Sequence, residues 1–231
     1  MTMTALNSQR INYCGIDEAA GTDSVQMLSV NGISIAVLAY TYGLSNKSIA
    51  GGDIFRIPVF SLERAIRDIT LARTKGANLI LVLPHWGKKN SIEISDTMRE
   101  TARQLAEAGA DVIAGAHSNV ASDVEILETE RADGRKHHTL VCYSLGAFLM
   151  DARSEENASG MILEAEIEYD PRVRQTCVVS YDAVPLYIYQ GINEGERVWR
   201  VIDVLDDECV AALTADNRTG ALRAKERIEE L

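Results

Sequence analysis

The sequence lacks several features that mark large classes of protein. No apolar run among the 231 residues approaches the roughly 20 residues needed to span a bilayer. The N-terminal stretch MTMTALNSQRINYCG has neither a basic start nor an apolar core, so it predicts no signal peptide and no anchor. From the sequence as written we therefore expect a cytoplasmic protein without a transmembrane segment.

Positive charge is scarce as well. The chain has 23 Lys and Arg against 34 Asp and Glu, a net charge of −11. This balance argues against nucleic acid as a partner, because phosphate contacts need clustered basic residues. The longest basic stretch, GRKHH at 134–138, is short, and we expect it to form a solvated loop with His137 and His138 on the surface.

Several common catalytic and cofactor motifs are missing. None of the four cysteines lies in a CxxC pair, so a zinc knuckle or a dithiol site is unsupported. Cys142 and Cys177 fall in apolar runs, where we expect buried, inert thiols. No G-x-S-x-G elbow, Walker loop or G-x-G-x-x-G opening a helix occurs, so a serine elbow and a glycine-rich nucleotide loop are not indicated.

What is present is an alternation of strands and helices. Two β-rich runs flank Asn31-Gly32, a strong hairpin turn, and a Gly/Ser/Asn-rich loop is expected over 44–53. A second predicted helix, from about Ser95 to Gly109, separates the apolar runs NLILVLP and DVIAGA, and such strand–helix–strand units have parallel strands. The first predicted helix ends at Gly76 and carries apolar residues at three- and four-residue spacing on one face: Leu62, Ala65, Ile66, Ile69 and Ala72.

Beyond Ser159 the pattern changes to antiparallel strands. The run GMILEAEIEYD alternates apolar residues with glutamates, which indicates a strand with one face in water, and further strand-like runs follow it. The tail at 206–231 predicts one or two helices. The fold class is therefore α/β, with parallel strand–helix–strand units first and antiparallel strands after them.

Two apolar runs end in a histidine. His85 follows NLILVLP and His117 follows DVIAGA, so each lies at the carboxyl end of a predicted strand. Ligands of open α/β sheets bind at this edge, and neighbouring strands would place the two backbones roughly 5 Å apart. Two imidazoles there could hold a common ion or a substrate. The alternative is that each histidine is structural and hydrogen-bonded to a loop.

Three segments, LPHWG, AEAGADVIAGAHSNV and VCYSLGAF, resemble in order and spacing those of the poly-gamma-glutamate capsule synthesis proteins of the CapA type. In that family they run approximately HWG-x-E, GADVIIGxHPHV and YSLGNF, and the similarity covers about Ile11 to Tyr169. It implies the calcineurin-like metallophosphoesterase fold, a β-sandwich flanked by helices, of which this chain would be the carboxyl part. It also implies association with bacterial capsule or cell-envelope polymer synthesis.

The sequence departs from the family pattern at several motif positions. Asn119 stands in place of the family's second histidine, Ser118 in place of the proline before it, Lys89 in place of the acidic residue after HWG, and Ala147 in place of the asparagine of SLGNF. The Asn-His pair of the family's first half does not occur in the chain. We therefore expect a single domain over 1–231 that is N-terminally truncated.

The resemblance also implies a site. His85 and His117 would help to hold a divalent metal, manganese, iron or zinc, with Asn119 as a weaker third ligand in an incomplete centre. A two-metal centre holds ions about 4 Å apart and needs more ligands than these. Lys88 and Lys89 are the expected contacts for an anionic substrate or polymer.

Three hypotheses for function remain open. The chain could be a metallophosphoesterase-type hydrolase with impaired or lost catalysis on a phosphoester substrate, its missing ligands coming from an upstream polypeptide. It could instead be a non-catalytic binding module or pseudoenzyme that recognises an anionic polymer or a partner subunit. A third hypothesis is a gene fragment with an exposed sheet edge and poor solubility.

Overall fold

The secondary structure follows the predicted alternation. The computed structural model describes residues 2–16, 25–43, 57, 59–130, 134–152, 154–173 and 175–231, and the loop expected over 44–53 lies outside these ranges. The elements are α1 (Thr2–Ser8), β1 (Gln26–Val30), β2 (Ile33–Thr41), α2 (Leu62–Thr74), β3 (Leu79–His85), α3 (Asp96–Ala108), β4 (Val112–Ala114), β5 (Val124–Glu130), β6 (Lys136–Cys142), β7 (Ser159–Asp170), β8 (Gln175–Asn193), β9 (Glu196–Asp203), α4 (Asp207–Ala211) and α5 (Ala215–Glu229).

A six-stranded mixed sheet in the order β1-β2-β3-β4-β6-β5 forms the first part of the fold. Strands β2, β3, β4 and β6 are parallel neighbours, while β1 and β5 pair antiparallel at the two edges. Helix α2 connects β2 to β3, and α3 connects β3 to β4. The α/β class with parallel units first is therefore confirmed.

Local signals set the predicted boundaries. Asn31 and Gly32 both have positive φ, 51° and 80°, as the two-residue hairpin turn requires. The Ser95 side chain accepts a hydrogen bond from the Met98 N–H and begins α3, and Gly109, with φ 106°, ends it in the left-handed conformation. Two short elements, α1 and β5, are not among the predicted ones.

Helices α2 and α3 cover one face of the six-stranded sheet and form the main apolar core with it. One prediction for α2 is wrong, because Ile66 is exposed and Asp68 is buried in its place. Asp68 can be buried because its carboxylate has polar partners. The Tyr40 hydroxyl donates to this carboxylate at 3.0 Å, and the Arg64 guanidinium lies 3.4 Å from it. A satisfied carboxylate can therefore occupy the inward face of the helix.

The second part of the fold is an antiparallel sheet in the order β7-β8-β9. Its glutamates at 164, 166 and 168 are exposed, as the alternation predicts. An isolated bridge between Gly146, just after β6, and Gly160 of β7 connects the two sheets, and the Met161 N–H donates to the Leu145 carbonyl beside it at 2.9 Å. Helix α5 packs into this junction, where Ile228 joins a buried cluster with Cys142 and Met161.

Two expectations about polar side chains are corrected. His137 is not on the surface: it lies within β6, fully buried, and its Nε2 is 2.8 Å from the Ala110 carbonyl oxygen. The stretch Lys136–His138 is therefore strand rather than solvated loop, although His138 is exposed. Cys177 is exposed, because it lies on the outward side of β8 near its start, whereas Cys142 is buried as expected.

None of the helices in the described part of the chain has the length and apolarity to cross a membrane.

A buried carboxylate joins four elements at the amino edge of the parallel strands. Asp111, just before β4, is within 2.6 Å of the Arg73 guanidinium on α2 and accepts the Ile80 N–H of β3 at 2.6 Å. The Thr176 hydroxyl of β8 donates to its other oxygen, and His137 Nε2 of β6 lies 3.7 Å away. The network therefore connects the packing of α2 to both sheets.

We expect Asp111→Asn to lower the free energy of unfolding by about 2–3 kcal/mol. The amide would leave the partly buried Arg73 guanidinium without its counter-charge. Its NH2 group would also face a hydrogen-bond donor, the Ile80 N–H or the Thr176 hydroxyl, where the carboxylate has an acceptor oxygen. Urea denaturation measures the loss. The matched control is Asp123→Asn, which removes a half-exposed pair with Arg99 at 3.3 Å and should cost less than about 1 kcal/mol. Equal losses in the two variants would contradict the role given to Asp111.

Candidate functional site

The two strand-end histidines lie side by side at the carboxyl edge of the parallel sheet. His85 is the last residue of β3 and forms a parallel bridge with Ala116, the residue before His117. The Ala116 N–H donates to the Pro84 carbonyl at 3.0 Å, and the Trp86 N–H donates to the Ala116 carbonyl at 2.9 Å. The ladder of β3 and β4 therefore continues past the strands and brings the two side chains together.

The two imidazoles are in direct contact. His117 Nδ1 lies 2.8 Å from His85 Nε2, and the ring centroids are 4.5 Å apart with the planes inclined at 54°. When both rings are neutral, one nitrogen carries the shared proton and the other accepts it. His117 has a φ of 107°, a backbone conformation that L residues seldom adopt. Such a conformation persists where the surrounding structure imposes it, and it is concentrated at functional sites.

The environment of the pair disfavours a charged His85. Partial burial lowers the pKa of the His85 imidazole from its ordinary value, and the adjacent His117 lowers it further. A protonated ring beside a second ring that can also protonate meets like-charge repulsion. His85 therefore stays in the neutral, proton-sharing state down to lower pH than an isolated histidine would.

A cavity of about 900 Å³ opens at the pair. Tyr42 forms part of its wall; its ring stacks on Phe60 with centroids 4.7 Å apart, and its N–H donates to the His85 carbonyl at 3.2 Å. The remaining lining residues are mostly small or apolar: Gly15, Ala39, Tyr40, Thr41, Gly43, Ile57, Leu83, Pro84, Trp86, Gly87, Ala114, Ala116 and Leu145. A concave, largely apolar space with a few converging polar groups is the usual form of a ligand site.

Trp86 directly follows His85 at the end of β3 and contacts the chain just past the ends of β4 and β6. Its indole N–H donates to the Tyr143 carbonyl at 2.8 Å, just past the end of β6, and it is buried. The indole passes over Gly115, where an added Cβ would lie 2.4 Å from the indole nitrogen and 2.0 Å from the Tyr143 oxygen. A side chain at position 115 is therefore incompatible with this arrangement. Trp86 and Gly115 lie inside the LPHWG and AEAGADVIAGAHSNV segments, but no sequence pattern there indicates a role for either residue.

The other predicted site residues lie around the pair rather than on it. Asn119, with φ 61°, donates to the Asn90 side-chain oxygen at 3.4 Å, and it is not among the described residues that line the cavity. The Asn90 N–H donates to the Ser118 carbonyl at 2.6 Å, so the loop after β3 rests on the turn after His117. Lys88 and Lys89 lie in that loop with exposed side chains.

Ser118, at the position of the family's proline, joins the turn to the segment after β6. Its hydroxyl is 2.8 Å from that of Ser144, and the Val120 N–H donates to it at 3.2 Å. The Ser144 oxygen in turn accepts the Gly146 N–H at 3.2 Å. Both serines are buried, so this departure from the family motif is structurally satisfied.

The donor set falls short of a metal centre. In the part of the chain that the structure describes, no three His, Cys, Asp or Glu side chains lie together in a way that would hold an ion. Zinc–nitrogen bonds of about 2.0–2.1 Å in tetrahedral geometry place two nitrogens about 3.3 Å apart. At 2.8 Å the two imidazole nitrogens are spaced for a hydrogen bond, so an ion would have to displace the shared proton and separate the rings. The described residues alone do not fit a divalent metal.

The fold and the site together define an α/β protein whose parallel strands bring a histidine pair to one edge, above an apolar cavity. Residues 1–152 match the family of bacterial capsule synthesis proteins known as PGA_cap, and the chain belongs to this family. It is 26% identical over 232 residues to the capsule biosynthesis protein CapA of Bacillus anthracis, and 32% identical over 126 residues to the PGA biosynthesis protein CapA of Bacillus subtilis strain 168. The resemblance to the CapA type is thereby confirmed.

The matches cover different shares of the proteins. The alignments include 97% of this chain and 51% of the Bacillus anthracis protein, and 53% of this chain and 30% of the Bacillus subtilis protein. The chain thus spans about half the length of the first relative and less of the second.

Two solved structures are also similar in overall shape. An NAD nucleotidase of Haemophilus influenzae has a TM-score of 0.46 and 15% identity, covering 95% of this chain and 41% of that one. A putative 5'-nucleotidase of Staphylococcus aureus has a TM-score of 0.45 and 14% identity, covering 98% and 39%. These similarities are too low to assign an activity.

We expect His117→Asn to raise the pKa of His85 part of the way toward its ordinary value, because the variant removes the neighbouring charge while most of the burial remains. Titration of the ring protons by NMR measures the shift, and His138→Asn, which changes an exposed histidine elsewhere, is the matched control. An unchanged His85 pKa in His117→Asn would contradict the coupling between the rings.

The same shift sets a pH dependence of stability. The folded pKa of His85 lies below its unfolded value, so the unfolded chain binds more protons and stability falls as the pH drops below about 6.5. The fall ends once the pH is below the folded pKa. In His117→Asn this part of the fall should be smaller, since the two pKa values are closer together.

Proposed function

We propose that this chain is the histidine-bearing carboxyl part of a capsule synthesis protein of the metal-dependent phosphoesterase type, with little or no catalysis on its own. The observation that carries the proposal is the convergence of His85 and His117 at the mouth of the cavity. Membership of the capsule synthesis family supports a role in polymer synthesis at the cell envelope. The shortage of further ligands among the residues that the structure describes supports the loss of catalysis in the isolated chain.

A divalent ion in such a centre would act as a Lewis acid on a phosphoryl oxygen. Asn119 is a candidate ligand if its bond to Asn90 is exchanged for the ion. The remaining ligands would come from a separate upstream polypeptide that completes the domain. In the assembled protein the substrate would be a phosphoester on the route to the capsule polymer.

The first test is a zinc titration of the isolated chain followed through the ring signals of its four histidines. We expect zinc to shift His85 and His117 weakly, and to leave His137 unchanged because it is buried in β6. With manganese present, the wild-type chain should hydrolyse p-nitrophenyl phosphate no faster than His85→Ala does, since the proposed centre is incomplete. His138→Asn is the matched control for the titration. Metal-dependent turnover that His85→Ala abolishes would overturn the proposed loss of catalysis, and zinc shifts confined to His137 and His138 would overturn the ligand role.

A second candidate function is recognition of an anionic polymer without metal. The exposed Lys88 and Lys89 follow His85 by three and four residues, and they concentrate positive charge at this edge of a chain whose net charge is −11. Such a cluster attracts carboxylate-rich chains, and the attraction is weakened by salt. The function would be that of a binding module or pseudoenzyme.

Fluorescence anisotropy with labelled poly-gamma-glutamate separates the two candidates. For the binding module we expect affinity that persists in chelator, falls with added salt, and drops about two- to fivefold in the double variant Lys88→Gln, Lys89→Gln. The matched control is Lys225→Gln on α5, whose ammonium pairs with Glu229 far along the chain from this edge. No loss in the double variant relative to this control would exclude Lys88 and Lys89 as the contacts.

A further inference from the structure

We propose that Trp86 is a positioning residue for the histidine pair. Its indole N–H, bonded to the Tyr143 carbonyl across Gly115, fixes the ends of β3, β4 and β6 relative to one another so that His85 and His117 meet. The inference rests on the proposed function only for the use of the pair. The geometry it concerns can be measured without any activity.

Backbone bonds join the three strand ends in neighbouring pairs. Between β3 and β4, Ala116 bonds in both directions, to the Pro84 carbonyl and from the Trp86 N–H. Between β4 and β6, Gly115 does the same: its N–H donates to the Cys142 carbonyl at 2.8 Å, and its carbonyl accepts the Leu145 N–H at 3.1 Å. Each of these contacts joins one strand to the next.

The indole adds a contact between β3 and the segment after β6, which are not neighbours in the sheet. Trp86 and Tyr143 are each 1% exposed, and their rings stack with centroids 6.2 Å apart. A buried indole N–H that lost its acceptor would carry a desolvation penalty, so the bond strongly favours one depth and one angle for Trp86. Gly115 permits this because its missing Cβ leaves the space through which the bond passes.

This contact sets the positions of the histidines because of where they lie in the chain. His85 immediately precedes Trp86, and His117 follows Gly115 by two residues. Both histidine rings are at least partly exposed, so close packing does not determine where they point. The backbone at the strand ends brings the two rings within bonding distance, and His117 adopts its unusual φ of 107° two residues beyond Gly115, which the Trp86 indole crosses.

The experiment is an NMR measurement of the distance between the two rings. With centroids 4.5 Å apart, the carbon-bound ring protons of His85 and His117 should show a nuclear Overhauser contact in the wild-type chain. The ring nitrogen shifts, measured at a pH where both are neutral, should report a single shared tautomer, because the bond between His117 Nδ1 and His85 Nε2 requires both rings to carry their protons on the same type of nitrogen.

In Trp86→Phe we expect the contact between the rings to be lost and the tautomers to become mixed, while the signals of His137 in the core persist. The matched control is Trp199→Phe, which changes the chain's other tryptophan, on β9, and should leave the pair intact. Should Trp86→Phe fail to fold, replacement of Trp86 by benzothienylalanine keeps the ring volume and removes only the donor.

The outcomes separate the two proposals. Retention of the ring contact and the single tautomer in a folded Trp86 variant would overturn the positioning role and leave the proposed function standing. Absence of the contact in the wild-type chain would overturn the pair itself, and the proposed function with it. If both Trp86 variants unfold, the bond is required for folding, and the claim that it positions the pair is overturned.

Discussion

The close approach of three strand ends at Gly115 is the constraint on which the candidate site depends. A Cβ at this position would lie 2.0 Å from the Tyr143 carbonyl oxygen, so glycine is what allows β3, β4 and the end of β6 to stay in register here. The register places His85 opposite Ala116, and the next residue is His117. A slip by one residue would turn one of the two side chains to the other face of the sheet and separate them.

Much of the fold could be predicted because hydrophobic pattern and caps act locally. Unbroken apolar runs gave the buried parallel strands, and Ser95 with Gly109 bounded α3. The errors came where a polar contact distant in sequence decided the outcome. Asp68 is buried because Tyr40, 28 residues away, donates to it. His137 is buried because β6 carries it to the carbonyl of Ala110. No property of either local segment indicates such a partner.

The histidine pair could be predicted from the sequence, whereas the contact that Trp86 makes could not. The ends of adjacent parallel strands meet at one edge, so a histidine at the end of each run suffices to place the two together. The indole contact of Trp86 depends on an acceptor 57 residues further along and on an empty space above Gly115. Asn119 was expected beside the histidines on family resemblance alone, and its bond to Asn90 depends on a loop conformation with positive φ at both residues.

The contact between the two imidazoles also bears on how the two rings are held in place among the described residues. Histidines that bind metal usually donate their second nitrogen to a carboxylate or carbonyl, which fixes the ring. Among the described residues, the contact that most resembles this is the hydrogen bond between the His85 and His117 rings. Backbone hydrogen bonds between the strand ends hold the two residues next to each other. That support is independent of any ion, so the pair keeps its geometry without one. A pair that is already held in place loses little conformational entropy when a ligand binds to it.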